Sequence, residues 1–212
     1  MTPPPKEVHG LLLIICGPTG TGKTTLRERL VVNHRGVEPI ITCTTRPPRG
    51  REKHGVDYFF LSNEEFDAAR ANGEFLEWAG VHLWRYATKK SSIFARLERN
   101  IDLVVNVDVQ GAQAYRQAFE EHAGMRSRLV TVFVMPPDMT TIYDRLLSRG
   151  QDSKEQIDSR MTTALYEVEQ WTHFDYCIVT GSKDDDYARL ESIWRAEQCL
   201  VDRLRKQESP AG

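Results

Sequence analysis

GPTGTGKTT, at residues 17–25, is the most informative run in this 212-residue chain. It follows the apolar run Leu11–Cys16 and precedes the helix-like stretch Leu26–His34. The spacing G-x-x-x-x-G-K-T between a strand and a helix predicts a phosphate-binding loop. Its glycines let the backbone point several N–H groups at a phosphate, and the helix that follows adds the positive end of its dipole. Lys23 supplies a mobile cation, and the Thr24 hydroxyl suits Mg²⁺.

Outward from this loop, apolar strand-like runs alternate with helix-like segments. The runs lie at Leu11–Cys16, Pro39–Cys43, Leu103–Val109, Leu129–Val134 and Phe174–Val179. Strands that alternate with helices form a parallel sheet with helices on both faces, and ligands bind beyond the carboxyl ends of the strands. Two segments fall outside this alternation. Residues 42–88 predict a small mixed region with a hairpin that turns at Gly80, and residues 137–160 predict a helical flap.

Charge and composition exclude several classes of protein. The chain has 28 Lys and Arg against 30 Asp and Glu, a net charge of -2, which gives no general attraction for nucleic acid or anionic lipid. No apolar run approaches the roughly 18 residues that cross a bilayer. The 4 cysteines show no C-x-x-C pairing, which favours free thiols in a reducing compartment. We therefore expect a cytoplasmic protein without nucleic-acid or membrane partners, with loose tails at residues 1–9 and 207–212.

A second signal is an arginine-rich loop, TTRPPRGRE, at residues 44–52. Its prolines and glycine exclude a helix face, so Arg46, Arg49 and Arg51 lie on an irregular segment. One interpretation is an exposed loop whose charges are solvated. Beside a phosphate-binding loop, a second anionic group held by Arg46, Arg49 and the Tyr58 hydroxyl predicts a phosphoryl transferase with two substrates.

A third signal is a set of arginines in the helical flap. Arg145 and Arg149 are one helical turn apart and share a helix face, and Arg160 follows on the next helix. They are either solvated surface residues or a group that contacts phosphate. In addition, Asp108 lies at the end of a buried strand, where a carboxylate can orient Mg²⁺ or its waters.

Several motifs, in this order and at this spacing, resemble the guanylate kinase family. They are the phosphate loop, the run T-T-R-x-P-R-x-x-E-x-x-G-x-D-Y at residues 44–58, Glu77-Trp78, and Val107-Asp108-Val109-Gln110-Gly111. The resemblance covers roughly residues 10–206. It implies an α/β, P-loop NTPase-type three-layer fold with a central parallel sheet. The implied parts are a core (residues 10–41, 89–136 and 161–206), a small mixed α/β GMP-binding insertion (42–88) and a helical lid (137–160).

The resemblance also implies an activity and a set of residue roles. Members transfer the γ-phosphoryl group of ATP to GMP, giving ADP and GDP, with Mg²⁺ as the metal; dGMP is a further possible acceptor. The implied catalytic residues are Lys23, Arg46, Arg149 and Arg160. ATP is expected at Gly17, Pro18, Thr19, Gly20, Thr21, Gly22, Lys23, Thr24, Thr25 and Arg145. GMP is expected at Thr42, Arg46, Arg49, Tyr58, Glu77, Tyr86, Thr88, Asn106 and Asp108, and the metal at Thr24 and Asp108.

Guanine recognition by Glu77 also has a chemical reason. Guanine presents two adjacent donors, N1–H and N2–H₂, and one carboxylate can accept from both. Adenine presents an acceptor at N1, which would leave the carboxylate unpaired. Asn106 departs from the family, which more often has an aspartate there; an amide keeps one acceptor and gains a donor.

Two other functions remain open at this point. The chain could be a non-catalytic binding module that keeps the GMP site, although Lys23, Arg149 and Arg160 are the residues that such relatives usually lack. It could also be a P-loop kinase of a different phosphate acceptor, which the Asn106 departure favours. Both a monomer and a homodimer agree with the sequence.

Overall fold

The computed structural model describes residues 9–81, 83–122, 124–149 and 153–204. The side chains of Val81, Arg149, Asp202 and Leu204 are not part of that description. The predicted tails therefore lie outside the described residues, apart from His9.

Strands and helices alternate along most of the chain. The strands are β1 Leu12–Cys16, β2 Val37–Pro39, β3 Cys43–Thr44, β4 Phe59–Phe60, β5 Phe75–Val81, β6 Trp84–Lys89, β7 Asp102–Asn106, β8 Leu129–Met135 and β9 Tyr176–Val179. The α-helices are α1 Lys23–Asn33, α2 Asn63–Ala71, α3 Phe94–Glu98, α4 Val109–Glu121, α5 Met139–Arg149, α6 Lys154–Glu169, α7 Lys183–Gln198 and α8 Val201–Leu204.

The central sheet has five strands in the order β2-β7-β1-β8-β9, and all of its pairings are parallel. Side chains of β1 alternate between its two faces. Leu13 and Ile15 pack with α1 and α7 on one face, and Leu12 and Ile14 pack with α3 and α4 on the other. The result is a three-layer α/β fold, which confirms the predicted parallel sheet with helices on both sides.

A buried carboxylate joins the first strand to the last long helix. Asp102, at the start of β7, is 6% exposed. One of its oxygens accepts from the Leu11 backbone N–H at 2.9 Å, and the other accepts from Trp194 Nε1 and Gln198 Nε2 at 2.8 Å each. Because buried carboxylates are costly without partners, these donors keep the carboxylate compatible with the core.

A second, smaller sheet lies in residues 43–89, with strand order β4-β3-β6-β5. It mixes parallel and antiparallel pairs and packs α2 over its own apolar core, which contains Cys43, Phe66, Ala69, Phe75 and Ala87. This sheet contains all the strands of the segment that the sequence sets apart as a mixed region.

Two local predictions in this part of the chain are wrong. The strand expected over Pro39–Cys43 is divided: Pro39 ends β2 on the edge of the central sheet, where its missing N–H is tolerated, and Cys43 begins β3 in the second sheet. The turn expected at Gly80 lies further along the chain. Gly80 is paired with Arg85 in the antiparallel ladder of β5 and β6, and this ladder continues to the pair of Val81 with Trp84.

Helices α5 and α6 pack on each other through a small apolar cluster, Ile142, Leu146, Ile157 and Ala164. Ser153 caps α6 with a reciprocal box, in which its hydroxyl accepts from the Gln156 N–H while the Gln156 side chain accepts from the Ser153 N–H. The sequence predicts that the lid ends at residue 160, but α6 is continuous across that residue, so a hinge of the lid would have to lie at another position. In the described part of the chain, no helix combines the length and apolar character that a bilayer crossing requires.

Candidate nucleotide-binding site

The phosphate-binding loop connects the central strand β1 to α1, and α1 begins at Lys23 itself. Gly17 has φ 136° and Gly22 has φ 95°, conformations that other residues rarely adopt. A Cβ at Gly17 would also lie 2.4 Å from the Val134 carbonyl oxygen. These two glycines are therefore required by the backbone, and the loop brings the N-terminal end of α1 to the carboxyl edge of the sheet, where an anion is stabilised.

Side chains of the loop and of α5 fix its shape. Lys23 Nζ donates to the carbonyl oxygens of Gly17 at 2.5 Å and Pro18 at 2.8 Å. The Thr21 hydroxyl donates to the same Pro18 oxygen at 2.8 Å, and Arg145 Nη1 donates to the Gly20 oxygen at 2.9 Å. The predicted ATP residue Arg145 thus already contacts the loop. The remaining loop residues, Thr19, Thr24 and Thr25, are partly or fully exposed.

Asp108 caps α4 at the neighbouring strand end, where its Oδ1 accepts from the Gly111 N–H at 2.7 Å. A further carboxylate, Glu167 on α6, shares this environment. Burial raises the pKa of Glu167 to about 7, the Lys23 charge opposes that rise and the Asp108 charge adds to it. Glu167 is absent from the sequence prediction; the only signal for it is its place two helical turns after Arg160 on α6.

The arginine-rich loop is organised by an internal ion pair. Arg46 is 4% exposed and donates through Nη2 to Glu52 Oε1 at 2.9 Å and through Nη1 to the Pro47 oxygen at 2.8 Å. The second Glu52 oxygen accepts from the Arg49 backbone N–H at 2.7 Å. The hydrogen bond between Arg46 and Glu52 raises the pKa of Arg46 and lowers the pKa of Glu52. Glu52, to which the sequence motif assigns no role, holds Arg46 in place, while the Arg49 side chain is exposed.

Two tyrosines surround the buried arginine. The rings of Tyr58 and Tyr86 lie 6.2 Å apart, and the Arg46 guanidinium carbon lies 5.4 Å from the Tyr58 ring centre. Burial raises the pKa of Tyr58, so its hydroxyl stays protonated and remains a donor. Arg46, Tyr58 and Tyr86, which are up to 40 residues apart in the sequence, therefore form one donor-rich cluster, as a bound phosphate requires.

Glu77 lies on β5, opposite Thr88 of β6. The Thr88 hydroxyl donates to Glu77 Oε1 at 2.8 Å. Burial raises the pKa of Glu77 to about 7, the Thr88 hydrogen bond opposes that rise and the Asp108 charge adds to it. Asp108 caps α4, which packs against β5, the strand that carries Glu77, and the preceding residue Val107 donates its N–H to the Ile15 oxygen just before the phosphate loop. The two halves of the predicted site therefore adjoin each other.

Two buried acceptors near the strand ends have no partner among the described residues. They are Asn106 Oδ1, at the end of β7, and Thr180 Oγ1, directly after β9. An unpaired buried acceptor costs free energy, so a ligand donor at Asn106 or at Thr180 would be favourable.

Thr42, just before β3, is half-buried, and its backbone oxygen accepts from the Phe59 N–H at 2.8 Å.

The remaining predicted residues lie on the helical flap. Arg160 is half-buried on α6. Arg149 is the last residue of α5, and its side chain lies outside the described residues. No group of three or more His, Cys, Asp or Glu side chains that could hold a metal is found in the described ranges.

A phosphate loop between the middle strand of a parallel sheet and the next helix defines the class: this is a P-loop NTPase fold. The guanylate kinase family model matches residues 9–197. A guanylate kinase of Polaromonas sp. is 39% identical over 200 residues, which cover 94% of each chain. One from Thermotoga maritima is 35% identical over 196 residues, 92% of this chain and 91% of the relative. The crystal structure of guanylate kinase from Anaplasma phagocytophilum has a TM-score of 0.74 and 27% identity, covering 93% of this chain and 90% of that one. The chain belongs to the guanylate kinase family.

Proposed function

We propose that this protein transfers the γ-phosphoryl group of ATP to GMP, giving ADP and GDP. The observation that carries the proposal is the Glu77 carboxylate, held by Thr88 on the second sheet, on the strand that packs against α4, the helix that Asp108 caps beside the phosphate loop. A base-reading carboxylate next to a phosphate loop is what a kinase of guanine nucleotides needs. Membership of the guanylate kinase family supports the same conclusion.

On the ATP side, the phosphates occupy the loop at residues 17–25 and the N-terminal end of α1. Lys23 exchanges its two backbone carbonyl partners for phosphate oxygens, which carry more negative charge. Arg145 already contacts the loop, so it reaches the same phosphates with little rearrangement. We assign the adenine amino group to Thr180 Oγ1, a buried acceptor without a partner in the described residues, because the amino group would supply the missing donor.

On the GMP side, the phosphate contacts Arg46, Arg49 and the hydroxyls of Tyr58 and Tyr86. Arg46 is fixed in advance by Glu52, so its ordering cost does not fall on GMP binding. The Arg49 side chain is exposed and orders when the phosphate arrives. This division gives one rigid and one adaptable arginine for the same anion.

The guanine base contacts Glu77 and Asn106, and Thr88 contributes through the hydrogen bond that it donates to Glu77. Glu77 accepts from N1–H and N2–H₂. Asn106 Oδ1 is buried and lacks a partner among the described residues, and a guanine amino group would supply the missing donor. Replacement of the family's aspartate by Asn106 therefore keeps an acceptor in the site and removes one negative charge. Thr42, at the entry to β3, is the remaining polar residue that we assign to this pocket.

Magnesium fits the donors that this chain offers. Mg²⁺ in kinases commonly takes one or two protein oxygens together with waters and substrate phosphates. Thr24 presents an exposed hydroxyl at the first turn of α1, and Asp108 uses one oxygen for the Gly111 N–H and keeps the other. When bound, the ion would neutralise charge on the β- and γ-phosphates.

Transfer then depends on alignment and charge neutralisation. The accepting phosphate oxygen of GMP is already ionised, so no general base is required. Lys23 and Arg46 hold the two phosphate groups, and Arg149 and Arg160 of the lid neutralise the charge that spreads over the transferring group, a contribution of about 10³- to 10⁵-fold in rate. Closure of the insertion and of the lid excludes water, which would otherwise hydrolyse ATP.

The proposal is tested with a panel of acceptors. Purified protein is given ATP, Mg²⁺ and one of GMP, dGMP, AMP, CMP or UMP, and ADP release is measured. We expect fast release with GMP and slow or no release with AMP, CMP and UMP. GMP binding without ADP release would indicate a binding module, and release with a non-guanine acceptor would indicate a kinase of different specificity.

We also propose a cytoplasmic location and no nucleic-acid partner. All four cysteines are free thiols, and Cys16 and Cys43 are buried core residues, as in proteins of a reducing compartment.

The sequence agrees with both a monomer and a homodimer. Size-exclusion chromatography with light scattering distinguishes these two oligomeric states.

A further inference from the structure

A chain of two hydrogen bonds connects the core of the protein to Glu77. The Tyr115 hydroxyl donates to Thr88 Oγ1 at 2.8 Å, and Thr88 Oγ1 donates to Glu77 Oε1 at 2.8 Å. Tyr115 and Thr88 are both 0% exposed. These two hydrogen bonds therefore lead from the dry core to the carboxylate that we assign to guanine.

The direction of both hydrogen bonds follows from proton counting. The Thr88 hydroxyl has one proton to donate, and an ionised Glu77 only accepts. The Thr88 proton is therefore committed to Glu77, and Thr88 meets Tyr115 as an acceptor. Burial raises the pKa of Tyr115, so its phenol keeps its proton at neutral pH and remains the donor.

Packing alone does not require a hydroxyl at position 115. Tyr115 lies on the apolar face of α4 with Ala112 and Phe119, in the cluster that covers one side of the central sheet. A phenylalanine ring would fill the same space. A buried hydroxyl is costly unless it is hydrogen-bonded, so its presence here depends on Thr88.

The chain of contacts also joins two parts of the molecule. Tyr115 belongs to α4 of the central fold, whereas Thr88 and Glu77 belong to the second sheet. Helix α4 packs against β5, the strand that carries Glu77. The orientation of the Glu77 carboxylate is thus set from outside the sheet on which it lies.

We propose that Tyr115 is a positioning residue for guanine recognition: through Thr88 it fixes the Glu77 carboxylate in the orientation that receives the guanine edge. The inference rests on the proposed function, since it assigns Glu77 to GMP. The role of Tyr115 in binding is preorganisation, because a carboxylate that is already oriented loses less entropy when the base binds.

The first experiment is Tyr115→Phe, which removes only the hydroxyl. We expect KM for GMP to rise about three- to tenfold, the scale of one hydrogen bond between neutral groups, with kcat and KM for ATP changed less than about twofold. The matched control is Tyr187→Phe. Tyr187 is 6% exposed, and its hydroxyl contacts Asn33 and His34, away from Glu77. Tyr187→Phe also removes a hydrogen-bonded hydroxyl from a buried residue, and we expect it to leave KM for GMP unchanged.

Thermal unfolding of both variants separates positioning from stability. The inference is supported if the two variants lose the same Tm but only Tyr115→Phe raises KM for GMP. An unchanged KM for GMP in Tyr115→Phe overturns it, and so does an equal rise of KM in the two variants.

A double-mutant cycle tests the route through Thr88. In a Thr88→Val background the hydroxyl relay is already broken, so we expect Tyr115→Phe to add no further rise in KM for GMP. In a Thr88→Ser background the hydroxyl remains, and Tyr115→Phe should again raise KM. Additive effects in the Val background would overturn the relay.

Calorimetry keeps this inference separable from the proposed function. If the unaltered protein binds GMP but releases no ADP, the kinase function fails, and Kd for GMP replaces KM in every comparison above. Equal Kd values for Tyr115→Phe and the unaltered protein would then overturn the positioning role by itself.

Discussion

The two halves of the candidate site are constructed differently. The ATP half is made of consecutive residues, 17–25, and its shape is held mainly by backbone carbonyls and by glycines with positive φ. The GMP half is assembled from side chains that are distant in sequence, including Arg46, Tyr58, Glu77 and Thr88. In the proposed function, the first half recognises phosphate, which every nucleotide has, and the second half recognises one base.

This difference predicts two kinds of kinetic defect. A change on the ATP half removes charge from the transferring group, so it should lower kcat. A change on the GMP half removes a contact that is formed when the acceptor binds, so it should raise KM for GMP. The experiments that follow challenge that separation.

Lys23→Ala is expected to have the largest effect. The ammonium contacts the loop where the ATP phosphates bind, so its loss should lower kcat about 10³-fold or more, with KM for GMP changed less than about threefold. Steady-state ADP release measures both constants. Lys90→Ala, an exposed lysine at the end of the second sheet, is the matched control and should behave like the unaltered protein. A Lys23 variant with normal turnover would contradict the assignment of the loop.

Glu77→Gln is expected to have the next largest effect. The amide keeps one acceptor but presents a donor to the guanine donors, so kcat/KM for GMP should fall about 100-fold while KM for ATP stays constant. Glu74→Gln is the control, because Glu74 lies on the same insertion and contacts Lys89 and Asn72. If the two variants show the same KM for GMP, Glu77 does not recognise the base.

Arg49→Ala tests the adaptable arginine of the phosphate cluster. Loss of one charge-assisted hydrogen bond should raise KM for GMP about tenfold. Arg51→Ala removes an equally exposed arginine two residues away and should change KM by less than about twofold. Similar effects for the two variants would show that only the net charge of the loop matters. Raised ionic strength would then abolish the effect of both variants on KM for GMP, because salt screens exposed charges.

The smallest expected effect is a pH dependence of GMP affinity. Burial raises the pKa of Glu77 to about 7, so below that pH the carboxylate is protonated and presents a donor to guanine. KM for GMP should therefore rise about three- to tenfold between pH 8 and pH 6. Glu77→Gln has no such group and should show only the titration of the GMP phosphate itself. Parallel profiles for the two proteins would exclude Glu77 as the source.

The sequence predicts the fold around the phosphate loop well because its information is local. A strand, a glycine-rich loop and a helix follow each other along the chain, and the central sheet has the expected parallel pairing. The second sheet is harder to predict, because Pro39–Cys43 is a continuous strand-like run although its two ends belong to different sheets. Gly80 likewise signals a turn by composition, yet it adopts an extended strand conformation beside Arg85.

Missed residues in the candidate site share a physical reason. Glu52 and Tyr115 both act through another side chain. Glu52 lies in the same motif as Arg46, but the motif does not say that the two residues pair, and no local sequence pattern signals the contact of Tyr115 with Thr88. Tyr115 has the spacing of an ordinary core residue on α4, next to Ala112 and Phe119. Its hydroxyl becomes informative only when the fold places it beside the second sheet. The roles assigned to individual residues from the family resemblance remain predictions.

The most direct test of the central claim is a crystal structure with GMP and a non-hydrolysable ATP analogue bound together. The account predicts the analogue's phosphates in the loop at residues 17–25 and the GMP phosphate at Arg46 and Arg49. It also predicts guanine N1 and N2 within about 3.2 Å of the Glu77 carboxylate oxygens. A GMP molecule bound elsewhere, with Arg46 still paired only to Glu52 and Glu77 facing no base, would contradict it.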